Sequence, residues 1–281
     1  MLGAIQMTTP CEQLQLEKFY QKFRRSLKAH MPAELGRYSS LYGPDLIWLD
    51  NDYLNSRPRM AIIGQQVYSW YYNYREFVTD VWEYYYAKST AKGSVKKAIA
   101  EYRGFDFAFS EKEPLRRTPF WQFFHKVRES AFSTEREARR KVLWTNLVKF
   151  VAKDGTKLLE WPYAEAEEAI QLQDDVLTTE LRIANPDVCL FVTGPDFDCI
   201  LKRYFRDVKF IEASNLPKHQ FARLVHEDLP RRSYRTYHPG YLSYHRKLWK
   251  EVLHILSQEL AWPNSRGGAN RRQLPHSRHS S

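Results

Sequence analysis

Polar side chains that can bind a flat ligand follow the apolar runs of this sequence. Gly-Gln-Gln at residues 64–66, Asn146 and Gly194 each end such a run, and His238 stands between a tyrosine and a proline. A side-chain amide offers a donor and an acceptor to the edge of a ligand. A histidine held by a neighbouring proline can donate a hydrogen bond to negative charge that develops in a reaction. These residue types indicate a site that reads a polar edge and stabilises an anion.

The apolar runs also predict the elements that must position these residues. Residues 59–66, 141–150, 186–195 and 208–214 have the length and composition of buried strands, and helical patterns separate them. Alternating strands and helices are typical of parallel sheets covered on both faces. We therefore predict an α/β fold with three layers, α/β/α, and a central, mostly parallel four-stranded sheet. Ligands bind outside the carboxyl ends of the strands in such sheets, which is where the polar residues lie.

Three regions are predicted along the chain. Residues 1–56 form an N-terminal helical extension, within which residues 11–30 have an amphipathic helical pattern. Residues 57–260 form the α/β domain. Residues 261–281 are rich in Gly, Ser, Arg and His, which predicts a disordered basic tail. The sequence has neither a GxGxxG pattern nor a Walker lysine, which argues against a dinucleotide or nucleoside-triphosphate site.

Charge and composition favour nucleic acid as a partner. The formal net charge is +10 and 15% of the residues are aromatic, and the sequence pI is about 9.4. A positive field of this size attracts polyanions, with nucleic acid as the first candidate and an acidic membrane surface as the second. Surface rings can also stack on bases. A generally basic soluble protein has the same composition, so charge alone does not decide the partner.

The cysteines and the short apolar runs limit the other partners. Cys11, Cys189 and Cys199 form no CxxC pair, so we expect no cofactor, neither a metal ion nor an iron–sulfur cluster. Three thiols without a disulfide framework favour a reducing compartment. The sequence shows no signal-peptide pattern and no run of about 18 apolar residues. We therefore expect no membrane partner and predict a cytoplasmic protein, active as a monomer.

In their order, the polar segments resemble the motifs of the uracil-DNA glycosylase superfamily. The first motif of that family, Gly-Gln-Asp-Pro-Tyr, is similar to Gly-Gln-Gln-Val-Tyr at residues 64–68. The base-reading asparagine at the end of a strand corresponds to Asn146, and the glycine after the next strand to Gly194. The final His-Pro segment, with a small residue and a leucine, corresponds to residues 238–242. The resemblance covers roughly residues 57–260.

The resemblance implies a monofunctional DNA glycosylase, which flips a nucleotide into a pocket and hydrolyses its N-glycosidic bond to leave an abasic site. His238 would donate a hydrogen bond to the carbonyl oxygen of the leaving base. Asn146 would read the Watson–Crick edge, but its amide can be inverted and then matches cytosine instead of uracil. Tyr68 would form the wall near the base C5 position. The implied catalytic residues are His238, Gln66 and Asn146, and the implied base contacts are Gly64, Gln65, Tyr68, Asn146 and Gly194.

The stretch SYRTYHPGYLSYHRK, residues 233–247, is too polar for a core strand and too aromatic for a flexible linker. By the resemblance it is a loop that faces DNA. Tyr241 and Leu242 are candidates for a wedge that fills the vacated base stack, with packing inside the protein as the alternative. Phe109 or another ring of the middle segments would stack on the base. The predicted phosphate contacts are Arg231, Arg232, Arg235, Arg246 and Lys247.

Gln66 is the main departure from the family pattern, because it replaces an aspartate that positions or activates water. A glutamine can hold water but cannot act as a base. Either hydrolysis proceeds by electrostatic stabilisation and water placement alone, or a carboxylate such as Glu76 or Asp80 takes over. Lyase chemistry would need an amine nucleophile, for which Lys149 is the nearby candidate. We expect simple hydrolysis.

The altered first motif and the long aromatic segment after it predict a remodelled pocket. Neutral amides at its mouth suit a base that carries hydroxyl groups, such as the hypermodified cytosine of phage DNA, which would make the protein an antiphage defence enzyme. The alternatives are a uracil-DNA glycosylase of base excision repair and a non-catalytic nucleic-acid-binding module of the same fold. An enzyme that acts on free nucleosides is a further alternative, and strongly salt-dependent binding to long DNA would count against it.

Overall fold

A computed structural model gives the fold over most of the chain. It describes residues 9–29, 41–66, 74–79, 93–105, 117–132, 140–152 and 156–260. The predictions made for Tyr68, Asp80, Phe109 and the tail at residues 261–281 fall outside these residues.

The described residues form the following helices and strands. The α-helices are α1 (Cys11–Ala29), α2 (Asn51–Leu54), α3 (Tyr74–Thr79), α4 (Ser94–Phe105), α5 (Pro119–Ala131), α6 (Tyr163–Gln171), α7 (Val176–Ala184), α8 (Asp198–Tyr204), α9 (Pro239–Tyr244) and α10 (Arg246–Leu260). The strands are β1 (Leu41–Tyr42), β2 (Met60–Gln66), β3 (Val142–Val148), β4 (Val151–Ala152), β5 (Val188–Phe191), β6 (Lys209–Glu212), β7 (Phe221–Val225) and β8 (Arg232–Thr236).

The central sheet confirms the α/β class and corrects the predicted number of strands. In the described part of the chain it has six strands in the order β3-β2-β5-β8-β7-β6. Strands β3, β2, β5 and β8 run parallel, whereas β7 and β6 continue the sheet antiparallel. The predicted strand at residues 208–214 is therefore an antiparallel edge strand. The fourth parallel strand is β8, which lies in the stretch predicted to be a loop.

Strand β8 was missed because its polar side chains are satisfied inside the protein. Ser233 to Thr236 are all buried. The Arg235 guanidinium pairs with Asp198 at 3.0 Å, and the hydroxyl of Tyr234 donates to Glu259. A hydrophobicity pattern cannot reveal a strand whose polar groups find such partners only in the folded chain.

The order of the parallel strands fixes where a ligand can bind. The chain passes from β2 to β3 on one side and then returns to the other side of β2 with β5 and β8. The direction of winding reverses between β2 and β5. In open α/β sheets the crevice outside the carboxyl ends at such a switch point is the usual ligand site.

The N-terminal helix α1 packs into the same core as the sheet. Its apolar face, made of Leu16, Tyr20, Phe23 and Leu27, belongs to the hydrophobic cluster that includes β2 and β5. The hydroxyl of Tyr20 donates to Glu180 on α7 at 2.7 Å. These residues lie within the segment predicted as an extension, and they contribute directly to the core. Among the described helices, none is long and apolar enough to cross a membrane.

Candidate functional site

Gly64 and Asn146 lie side by side at the carboxyl ends of β2 and β3. They are register partners in the parallel pair. A Cβ atom at position 64 would lie 2.3 Å from Oδ1 of Asn146 and 3.3 Å from Cε2 of Phe120. Both distances are shorter than ordinary van der Waals contact, so only glycine leaves room for the amide and the ring. The sequence prediction that Gly64 and Asn146 meet agrees with this geometry.

Asp45 holds the other end of the Asn146 amide. The Nδ2 atom of Asn146 donates to Oδ2 of Asp45 at 3.1 Å. Both side chains are buried, and burial raises the pKa of Asp45 to about 6, an effect that the nearby charge of Lys149 opposes. Sequence reasoning missed Asp45. The signal was an acidic residue within the run Gly-Pro-Asp-Leu-Ile-Trp-Leu at 43–49, whose apolar pattern predicts burial.

A buried charged network lies beneath Asn146. The ammonium of Lys149 pairs with Glu180 of α7, and both side chains are fully buried. Thr145 donates to the same carboxylate at 3.1 Å, and Tyr20 donates to its other oxygen. An amine that is buried and ion-paired in this way is not positioned to attack a sugar, so the geometry gives no support to lyase chemistry at Lys149.

His238 is fixed in one tautomer at the start of α9. Its Nδ1 atom accepts a hydrogen bond from the backbone N–H of Gly240 at 3.1 Å. A neutral ring that accepts at Nδ1 carries its proton on Nε2. Burial, and to a smaller extent the positive charge of Lys157, lower the pKa of His238 to about 4. The ring is therefore neutral at pH 7 and presents an Nε2–H donor.

Phe120 links the two halves of the site. It lies in the first turn of α5, directly after Pro119, and its ring reaches Gly64. The centroid of the Phe120 ring lies 6.1 Å from that of the His238 ring, with 23° between the planes. The sequence predicted a stacking ring from the middle segments without choosing one. Among the described residues, Phe120 is the ring that lies beside both Gly64 and His238, and a role in stacking on a base stays a prediction.

Hydrogen bonds join the ends of β2, β5 and β8 at the switch point. Nε2 of Gln65 donates to the carbonyl oxygen of Thr193 at 2.7 Å. Gly194 follows with φ of +75°, and a Cβ there would lie 3.5 Å from the Tyr237 ring. Its N–H donates to the carbonyl of Thr236 at 2.9 Å. Gly194 thus allows the segment before His238 to lie close to the end of β5. Gln66, the last residue of β2, is half-buried.

Three of the predicted phosphate contacts lie elsewhere. Arg231 and Arg232 stand at the amino end of β8, whereas His238 follows its carboxyl end. At about 3.3 Å per residue, Arg232 is some 13 Å along the strand from the carboxyl edge. Arg235 is only 2% exposed and donates to Asp198 and to the carbonyl of His219. Its guanidinium is a structural group here and does not face solvent.

The other predicted DNA contacts follow His238 directly. Tyr241 is 45% exposed, and its ring stacks on Tyr237 and on His245 with centroid distances of 4.3 Å. Leu242 is fully buried and packs in the core, so it is not placed to act as a wedge. Arg246 and Lys247 are exposed at the start of α10.

Two further groups bear on the prediction. Glu76, a proposed substitute for the missing aspartate, is buried in α3 and does not lie on an exposed helix face. A small cleft at the amino end of β3 is lined by Trp48, Asp50 and Arg140 among others. It lies at the opposite edge of the sheet, and Asp50 and Arg140 already pair with each other at 3.0 Å. The predicted base-reading and hydrogen-bond-donor groups, Asn146 and His238, lie at the carboxyl edge instead.

Comparisons with known proteins do not add to this geometry. Neither the scan against protein-family models nor the search of curated proteins finds a match for the chain. Within the described residues, no group of three or more His, Cys, Asp or Glu side chains is arranged to hold a metal ion.

Proposed function

We propose that the protein is a monofunctional DNA glycosylase that releases a flipped pyrimidine base and leaves an abasic site. The observation that carries the proposal is the arrangement of Asn146, Phe120 and the neutral His238 at one carboxyl edge of the sheet. An amide to read a base, a ring to stack on it and a donor for its carbonyl are the groups that such a reaction needs.

His238 supports the departure of the base. When the bond between C1′ of the sugar and N1 of the base breaks, both electrons go to the base, whose carbonyl oxygen becomes more negative. The Nε2–H of His238 donates to that oxygen, and because the ring is already neutral it needs no prior loss of a proton. The positive charge of Lys157 adds to the stabilisation of the anion. Water then adds to C1′ and gives up a proton, which the released base anion takes up directly or through solvent. Gln66, at the end of β2, is the residue proposed to hold this water.

The direction of the Asn146 amide supports a particular base edge. Oδ1 faces Gly64 and Nδ2 faces Asp45, and β2 and β5 separate Asn146 from His238. Oδ1 is therefore on the His238 side. A pyrimidine whose O2 meets His238 then presents N3–H to Oδ1 and O4 to Nδ2, which is the pattern of uracil.

This orientation favours uracil, or a uracil with a C5 substituent, over a cytosine-derived base. Removal of uracil would suit base excision repair. The hypermodified cytosine of phage DNA, and with it a role in antiphage defence, stays a prediction that the same assay tests. The wall near C5 was assigned to Tyr68, which lies outside the described residues.

DNA contact is proposed for the surface that surrounds His238. Arg246, Lys247 and Lys157 are exposed and basic, and Tyr241 offers an exposed ring supported by two stacked neighbours. Cations of this kind bind phosphates, and an exposed ring can enter or support a disrupted base stack. Tyr241 is therefore the wedge candidate that the geometry supports.

The test is base release from defined DNA. Oligonucleotides with a single uracil, cytosine, 5-hydroxymethylcytosine or glucosylated hydroxymethylcytosine are incubated with the protein, and alkaline cleavage reports abasic sites. We expect release from the uracil substrate, a loss of at least about 100-fold in His238→Ala, and no loss in His254→Ala, an exposed histidine on α10.

Tight DNA binding without release of any base would overturn the proposal and support the binding module. Release of free bases from nucleosides, with no activity on DNA, would support the nucleoside enzyme instead.

A further inference from the structure

Asp45 is a buried acid that the proposed reaction does not consume. It is fully buried, and its backbone N–H donates to the carbonyl of Lys149 at 2.9 Å. Gly43, with φ of +110°, lets the chain turn close to that carbonyl, where a Cβ would lie only 2.5 Å away. The loop is thus built to carry a carboxylate beneath the end of β3. Burying a carboxylate lowers the stability of the fold, and such groups are often found at functional sites.

The contacts of Asp45 point to one role. Among the described residues, its side chain has a single hydrogen bond, from Nδ2 of Asn146, and its Oδ1 atom has none. The ammonium of Lys149, whose positive charge lowers the pKa of Asp45, pairs with Glu180 instead. The carboxylate therefore serves neither a salt bridge nor a helix cap. Its partner is the amide that would read the base.

A carboxylate constrains an amide in one direction only. An ionised Asp45 can accept but cannot donate, so Nδ2 must face it and Oδ1 must face Gly64. A neutral partner, able both to donate and to accept, would let the amide invert. The oxygen and nitrogen would then exchange places, and the site would match the amino group and N3 of cytosine.

We propose that Asp45 is a specificity-determining positioning residue that locks the Asn146 amide in the orientation that accepts a 4-oxo pyrimidine and rejects a 4-amino pyrimidine. This inference rests on the proposed glycosylase function and names the group that sets its base preference. Asp45 acts through Asn146 and does not itself contact the base.

The first test compares kcat/KM for uracil and cytosine in matched oligonucleotides. Asp45→Asn keeps the shape of the side chain but can donate as well as accept, so the uracil-to-cytosine ratio is expected to fall by about ten- to hundredfold. Asp50→Asn is the matched control, since Asp50 caps α2 and pairs with Arg140 away from the site, and its ratio should equal that of the wild type.

Two outcomes of this assay would overturn the inference. Equal losses on both substrates would mean that Asp45 is only structural. A drop in cytosine release alone would mean that the free Oδ1 of Asp45 binds the amino group of a cytosine-type base directly.

A second test needs no activity. In protein labelled with 15N-asparagine, one Nδ2 proton of Asn146 should resonate far downfield of the other, since it donates to a carboxylate. The signal is assigned by its loss in Asn146→Ser, and the separation should collapse in Asp45→Asn. An unchanged separation overturns the lock. If the wild type releases no base but the separation collapses, the lock stands and only the proposed function fails.

Discussion

At the scale of the residue, Asp45, which is proposed to orient the Asn146 amide, carries an energetic cost. Its neighbours Leu46 and Ile47 are completely buried, and burial holds its pKa near 6 instead of the ordinary 3.8. The folded protein therefore binds this proton more tightly than the unfolded chain. Protonated Asp45 stabilises the fold fully below about pH 4, and that contribution is lost as the pH rises through 6.

Asp45→Asn should consequently be more stable than the wild type at neutral pH. We expect its free energy of unfolding to exceed that of the wild type by about 1–3 kcal/mol at pH 7.5, with the difference shrinking towards pH 4.5. Urea denaturation at several pH values measures this. Taking the difference between the two proteins cancels groups such as His238, whose lowered pKa acts in the opposite direction. A difference that does not change with pH would contradict the buried, ionised state.

Gly64 is the residue whose replacement tests the packing of the site. In Gly64→Ala the new methyl group meets Oδ1 of Asn146 and the Phe120 ring, so one of them must move. We expect base release to fall at least about tenfold and the free energy of unfolding to drop by about 1–3 kcal/mol. Steady-state kinetics and chemical denaturation measure the two effects.

Gly93→Ala is the control for Gly64→Ala. Gly93 also has a positive φ, +88°, but a Cβ atom added there would meet no neighbouring atom within 4 Å. Its replacement strains the backbone without touching the site, so base release should be unchanged. If both variants lose activity alike, the effect belongs to general destabilisation and not to the contact between Gly64 and Asn146.

At the scale of the element, β8 shows how a polar strand can be central. The Arg235 guanidinium donates to the carbonyl of His219 at 2.7 Å and to Asp198 at 3.0 Å, and lies over the Phe210 ring. These contacts tie β8 to α8 and to the antiparallel edge. They add to the apolar packing of Tyr234, which belongs to the hydrophobic core and stacks on Phe221.

Arg235→Ala should therefore be a stability variant. Removing the guanidinium deletes its hydrogen bonds to Asp198 and to the carbonyl of His219. Because Asp198 keeps some access to solvent, we expect a loss of about 1–3 kcal/mol in the free energy of unfolding. Thermal and chemical denaturation measure the loss, and DNA binding by the folded fraction should be unchanged. Arg231→Ala, at an exposed position one residue before β8, should alter stability by less than about 0.5 kcal/mol. If the Arg235→Ala protein is stable but binds DNA weakly, Arg235 contacts DNA and is not only a structural residue.

At the scale of the whole molecule, the positive charge is expected to act through one edge of the sheet. The sequence carries +10, but only part of this charge surrounds His238. Binding to duplex DNA should weaken steeply with salt, because each neutralised phosphate releases counterions. A plot of log Kd against log salt concentration, from fluorescence anisotropy, measures the number of phosphates engaged.

The slope of that plot should report which cations bind. Arg246→Ala and Lys247→Ala should each reduce it by about 1, because each removes one phosphate contact. Arg231→Ala should leave it unchanged, since Arg231 lies at the opposite edge of the sheet. Equal reductions in all three variants would mean that DNA covers both edges, and no change in any would place the interface on another surface.

The sequence by itself determined the α/β class and the positions of three of the parallel strands. Residues 59–66, 141–150 and 186–195 are apolar enough that burial on both faces of a sheet follows from composition. The ends of these strands also identified Gly64 and Asn146 as neighbours, and they placed Gly194 at the same edge of the sheet. Their convergence is a consequence of parallel order, which places every carboxyl end at one edge.

Only the tertiary structure decided the rest. Strand β8 and the burial of Arg235 depend on Asp198 and Glu259, partners distant in sequence, so no local pattern predicts them. Asp45 reaches Asn146 across 101 residues of chain. The orientation of the Asn146 amide is likewise set by its hydrogen bond to Asp45, and the tautomer of His238 by the N–H of Gly240. Both partners are brought into place only by folding.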